Sequence, residues 1–135
     1  MVPFPTTPRF WTKWSDHELR VRKAALDAIA YRITQEKGTE APHSHPNWDP
    51  YIPGMYVDVV SGEPLFCSLD GYHSGSGWPS FVQPIEPKAV QYTADHTLDT
   101  TRTEIISSIA QSHLGHVFDD GPYPHRTRYC INGHA

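Results

Sequence analysis

The sequence predicts a mainly antiparallel β domain preceded by a short helical N-terminal part. Three observations carry that reading. Past residue 40 no helical period appears, and short β-rich runs alternate with turn residues instead. The chain of 135 residues holds 13 Pro and 9 Gly, so much of it must be turn and loop. Ahead of that region, Ser15-Asp16-His17-Glu18 has the S-x-x-E spacing of a capping box, which starts a helix. The length suits a single domain over 1–135, with a Pro-rich arm over 1–14, a helical part over 15–40 and a β core over 41–135.

Each element follows in order. Phe10, Trp11 and Trp14 are the residues that would pack the arm. Beyond the cap, Leu19, Val21, Ala25, Leu26, Ala28 and Ile29 offer an apolar stripe. A second short helix, or the end of the first, runs from Tyr31 to Glu36, with Gly38 placed to stop it. Residues 41–54 read as loop, and their His43 and His45 as solvated side chains rather than metal ligands. Met55 to Val60, the turn Ser61-Gly62-Glu63-Pro64 and Leu65 to Ser68 make a hairpin. Gly75-Ser76-Gly77 lets the backbone pass where side chains would clash, and Trp78 after it is either displayed or packed in the core. Ala89 to Thr93, Thr101 to Ser107 and Val117-Phe118 are further short strands. In Arg128-Tyr129-Cys130-Ile131-Asn132 the period is two. Tyr129 and Ile131 then point into the core, and Arg128, Cys130 and Asn132 share the opposite face.

Composition narrows the function. Net charge is −4, and no basic block is present, which argues against nucleic acid as a partner. No stretch approaches the roughly 20 apolar residues that span a bilayer. Met1-Val2-Pro3-Phe4-Pro5 lacks a charged region followed by an apolar run, so no secretory signal is expected. Two cysteines do not make a disulfide framework, and reduced thiols in the cytoplasm are the expectation.

The chemistry converges on the last strand. Arg128 beside Cys130 favours the thiolate, although a lone strand cysteine also serves as a small hydrophobe. His113 and His116 are followed by the turn Asp119-Asp120-Gly121-Pro122 and then by Cys130. That length suits adjacent antiparallel strands, so histidine and thiol can meet, and histidine donates protons near working pH. The same pair could hold a metal with a third ligand such as His73 or His96. No H-E-x-x-H occurs, and with no C-x-x-C a tetracysteine zinc site is excluded.

These blocks together carry a resemblance. Gly75-Ser76-Gly77-Trp78-Pro79-Ser80-Phe81, Arg102-Thr103-Glu104, His113-Leu114-Gly115-His116-Val117-Phe118-Asp119-Asp120-Gly121-Pro122 and Arg128-Tyr129-Cys130-Ile131-Asn132 are similar to the signature blocks of methionine-R-sulfoxide reductases, the MsrB family. Residues 31–40, Trp48-Asp49 and residues 57–66 match as well, so the resemblance runs from about Leu19 to Asn132. It implies two antiparallel sheets with short N-terminal helices. It implies thiol-dependent reduction of the R epimer of methionine sulfoxide through a sulfenic acid on Cys130. By position, His116 and Asn132 serve the sulfoxide oxygen, His113 supports the site, Trp78 forms the wall for the methyl group and Arg128 lines the pocket. Free or protein-bound methionine sulfoxide is the implied substrate and thioredoxin the implied reductant, with no bound cofactor.

Three departures matter. The family's resolving cysteine in the glycine loop is Ser76 here, leaving either Cys67 after a rearrangement or an external thiol to regenerate Cys130. The family's zinc-binding pairs would fall near Asp58–Ser61 and Ser108–Gln111, where no cysteine stands, so a metal-free protein is expected. The segments around residues 97–99, 126–127 and 133–135 also differ. The competing reading is an inactive relative that binds methionine or its sulfoxide in peptides.

Overall fold

The computed structural model describes residues 10–49 and 52–135. The first nine residues of the arm, and Pro50 and Tyr51 of the loop, lie outside the described residues. Helix α1 spans Asp16–Ala24 and begins in the expected capping box. The Glu18 amide donates to the Ser15 hydroxyl at 3.1 Å, and the Ser15 amide donates to the Glu18 carboxylate at 3.2 Å.

The stripe expected on α1 does not form, for the helix buries no residue. Aromatic and cationic contacts hold it instead. Trp14 donates from Nε1 to the Ser61 carbonyl at 2.7 Å. Arg22 lies over the Trp14 ring, 4.4 Å from its centroid, and donates from Nε to the Val60 carbonyl. Helix α2, Ala28–Gln35, is a separate helix capped by Asp27, which accepts from the Ala30 amide at 2.8 Å. It buries Ala30, Ile33 and Thr34. Lys37, at φ 55°, takes the left-handed position after α2 that Gly38 was expected to fill. Gly38 is needed for space: a Cβ there would stand 2.9 Å from the Arg32 carbonyl oxygen.

The two predicted sheets are present. Strands β1, Met55–Val57, and β2, Pro64–Cys67, form an antiparallel hairpin. The larger sheet contains β3, Ser80–Phe81; β4, Val90–Asp95; β5, Arg102–Ser107; β6, His113–Phe118; and β7, Arg128–Ile131. Its order is β3-β7-β6-β5-β4, with every neighbouring pair antiparallel. Strand β6 starts at His113, not Val117, which carries both histidines onto the sheet.

The core lies between the sheets. Phe66 of β2 stacks on Phe81 with ring centroids 4.7 Å apart, and Tyr129 of β7 lies 5.7 Å from Phe66. Leu65, Ile105, Leu114, Ile131 and Ile33 complete it. Tyr129 and Ile131 are buried, so the opposite face of β7 is the one free to carry a site.

The residues at the family's zinc positions do not fit that ion. Asp58 accepts at Oδ1 from the Val60 and Ser61 amides, Ser61 accepts from the Glu63 amide, and Ser108 donates to the Lys88 carbonyl. Glu63 joins the two turns directly by accepting from the Ile109 amide at 3.1 Å. Among the described residues, no group of three or more His, Cys, Asp or Glu side chains is placed to hold a metal ion. No helix among them is long and apolar enough to cross a membrane.

Candidate active site

Cross-strand register builds the site. Cys130 is paired at Cα with His116 on one side and with Ser80 on the other. Directly opposed residues of an antiparallel pair share a face, so thiol and imidazole project together. Gly115 makes this register possible, because a Cβ there would run into the Cys130 carbonyl. A cavity of about 160 Å³ opens on this face. Trp78, His116, Arg128, Cys130 and Asn132 line it, with Thr39 at its rim.

Trp78, Asn132 and Arg128 are each held by a partner. Trp78 donates from Nε1 to the Glu40 carbonyl at 2.9 Å. Asn132 accepts at Oδ1 from the Glu40 amide and donates from Nδ2 to the Leu114 carbonyl, both at 2.9 Å. The Glu40 carboxylate in turn accepts from the His134 amide and contacts its Nδ1, each at 3.0 Å. One buried residue therefore positions both the aromatic wall and the amide. Arg128 makes a two-pronged bond to Asp120, at 2.8 and 3.1 Å, and lies 4.3 Å from the Phe118 ring centroid.

The two histidines have different tasks. His116 Nε2 contacts Asp95 Oδ2 at 2.6 Å. A carboxylate there makes Nε2 the protonated nitrogen and leaves Nδ1 for the cavity. Bonds from Thr97 hold the Asp95 carboxyl well below the usual carboxylate range, and His116 adds to this. Arg102 closes the network at 3.1 Å from Asp95. His113 does not line the cavity. It lies behind His116, ring centroids 5.4 Å apart, with Nδ1 2.6 Å from the buried Glu104. Burial pulls His113 below its ordinary value and outweighs the opposing pull of Glu104. His73 and His96, the suggested third metal ligands, lie apart from this pair: His73 is near Trp48 and His96 pairs with Thr101.

Arg128 does not dominate the thiol as its position suggested. Burial pushes Cys130 up from its ordinary value, and Arg128 with the Ser76 hydroxyl pulls down only in part. Part of the reason is that the Arg128 charge is already shared with Asp120. The net shift favours the thiol over the thiolate. Cys67 lies on β2, buried, and lines neither the cavity nor its surroundings. Alternation turns it away from Phe66, while Cys130 is turned away from Tyr129. On β2 Cys67 shares the face of Leu65, and it is buried there among core residues.

Sequence reasoning did not find Asp95, Glu40 or Asp120 as partners. The first is separated from His116 by 21 positions and the second from Asn132 by 92, beyond any local pattern.

A model of the SelR domain matches residues 26–135. The chain belongs to the SelR family. Methionine-R-sulfoxide reductases of the MsrB type, which the sequence blocks resemble, are this family. Over 121 residues the chain is 50% identical to a Vibrio cholerae serotype O1 protein named peptide methionine sulfoxide reductase MsrA/MsrB. That alignment takes in 90% of this chain and 31% of the Vibrio protein, so the SelR chain spans about a third of that relative's length. Helix α1, with its Trp14 and Arg22 contacts, precedes the SelR match.

Proposed function

We propose that this chain reduces the R epimer of methionine sulfoxide with Cys130 as nucleophile. The observation that carries this is the register of Cys130 and His116 inside one cavity walled by Trp78. A sulfoxide methyl group rests against the Trp78 ring, which sets the sulfur over the thiol. The Cys130 sulfur attacks the sulfoxide sulfur while its thiol proton, taken up by His116 Nδ1, is passed to the oxygen, which the second Asn132 amide hydrogen steadies. Methionine leaves, and oxygen ends on Cys130 as a sulfenic acid, Cys–S–OH. The proton lost from the thiol balances the one taken by oxygen, so this half-reaction needs no other reactant.

Regeneration then falls to an external thiol such as a thioredoxin, a reading supported by the burial of Cys67 in the core, outside the cavity that Cys130 lines. The cytoplasm, with its thiol pool, suits the reaction. Whether the substrate is free or protein-bound follows from comparing methionine sulfoxide with an oxidised peptide.

The deciding experiment is turnover of each epimer with dithiothreitol, for wild type and Cys130→Ser. R-epimer turnover that vanishes in the variant supports the reading. No turnover of either epimer by folded protein would sink it, and binding of oxidised peptide would then favour a recognition module.

A further inference from the structure

His45 of the Pro-rich loop and His134 of the segment over 133–135 take no part in the substrate cavity, yet they meet each other at a separate cleft of about 280 Å³. Asp27, Tyr56 and Gly133 are also among its walls. The two imidazole rings pack edge to face, with centroids 4.7 Å apart. Gly133 leaves room for this contact, because a Cβ there would stand 2.5 Å from His45 Cγ. His45 Nδ1 accepts from the Asn47 amide at 3.1 Å, which fixes its ring. Burial, and after it His134, pulls His45 below its ordinary value, in keeping with a nitrogen that accepts. A fixed ring thus backs His134.

We infer that His134 is a positioning residue for the sulfoxide site and acts through the Glu40 carboxylate. The reaction it would serve is that of the proposed function; the geometry stands apart from that reading.

The Glu40 side chain is 2% exposed. Among the described residues, its carboxylate meets donors from residue 134 alone, the amide and Nδ1, each 3.0 Å from Oε1. Oε2 is buried and has no partner among the described residues. A buried carboxylate with so few donors depends on each of them. An ionised carboxylate only accepts, so Nδ1 carries the hydrogen whichever charge the ring bears.

The backbone of the same residue serves the site. The Glu40 amide donates to Asn132 Oδ1, and the Glu40 carbonyl accepts from Trp78 Nε1. A carboxylate released by His134 has no second partner in place, so it must turn towards water or take up a proton. Turning carries the amide and the carbonyl with it. The group that steadies the sulfoxide oxygen and the wall that seats the methyl group then shift together. His134 lines no part of the cavity, so it touches no reacting atom.

Two kinds of measurement test this. In a nitrogen–proton correlation spectrum without substrate, His134→Ala should move the Trp78 indole and Asn132 side-chain amide peaks. His134→Asn, whose amide nitrogen can take the place of Nδ1, should leave both near their wild-type positions. This arm stands even if the protein reduces no sulfoxide, an outcome that wild-type turnover reports by itself. With R-sulfoxide and dithiothreitol, His134→Ala should raise KM and lower kcat, together costing about 10–100-fold in kcat/KM. His134→Asn should keep most of the activity. In a Glu40→Gln background, His134→Ala should cost no more than about threefold further, because no buried charge is left unpaired. Should His134→Ala fail to fold, His134→Gln replaces it, since its amide falls at the place of Nε2. Unmoved peaks, equal losses in the alanine and asparagine variants, or the same factor in both Glu40 backgrounds would overturn the inference.

Discussion

Cys130 and His116 are direct cross-strand partners, and Asp95 holds the imidazole from the next-but-one strand. The thiol, the proton donor and its orienting carboxylate thus come from β7, β6 and β4, three strands of one sheet. If His116 delivers the proton, His116→Ala should lower single-turnover methionine release by ~10²–10⁴-fold. Asp95→Asn should cost less and change the shape of the pH profile, because the ring loses its tautomer control. An Asp95→Asn profile parallel to wild type would show that Asp95 only supports the strand.

The thiol's own titration gives a second expectation. Burial raises Cys130, so its thiolate fraction at neutral pH is below that of a free cysteine. Alkylation by iodoacetamide should therefore rise with pH and level off later than for a model thiol. Removing the cation should move that limb further up. Arg128→Ala should slow alkylation at pH 8 by about tenfold for each unit gained. An unchanged profile would mean that Asp120 already neutralises Arg128 at the thiol.

Trp78 presents the apolar wall and is pinned by Glu40. Trp78→Ala should raise KM and lower kcat/KM by about 10–200-fold, the range for a lost apolar contact in a pocket. Trp78→Phe keeps the ring and should retain most of the activity. Equal losses in both variants would assign the effect to the bond with Glu40.

Ser76→Cys tests the nearness of this loop to the nucleophile. After one equivalent of sulfoxide, the introduced thiol should condense with Cys130 and release water. Non-reducing peptide mapping would find that disulfide, with Cys67 still free. Recovery of a Cys67 disulfide instead would bring back the rearrangement expected for that residue.

The turn that joins residues 58–63 to 108–111 predicts a pH dependence of stability. The Glu63 carboxyl is pushed up to about 7, chiefly by burial, with Asp58 and Glu86 adding and the Ile109 amide opposing. Its folded value lies above its unfolded value of 4.5. The folded state therefore binds the proton more tightly. That stabilisation is complete below about pH 4.5 and is lost as pH rises towards 7. Urea unfolding at pH 5 and pH 8 should show a fall for wild type and a smaller one for Glu63→Gln.

The legible parts of this fold are those with a short-range signature. Strand β7 shows itself by alternation, and the buried Tyr129 and Ile131 agree with it. The capping box at Ser15 needs only four residues. Strand β3 has two residues, too few for any period, and exists because β7 offers an edge to pair with. The stripe on α1 misled because exposed Val21 and its neighbours have nothing to cover; Trp14 and Arg22 anchor that segment through polar contacts. Of the site, Cys130, His116, Trp78, Arg128 and Asn132 stand out as residue types, and the structure brings them to one cavity. The residues that orient them do not stand out, since Glu40 and Asp95 look like any surface acid until the sheet brings them in.

Glu40 bonds Asn132 and His134 across separations of 92 and 94 residues. Contacts of that span are entropically the most expensive to close, and chains form them late. The local helices and the hairpin of β1 and β2 can form well before the pocket does. A kinetic folding experiment that follows Trp78 fluorescence should therefore lag one that follows secondary structure, and mutations at Glu40 should speed unfolding more than they slow folding.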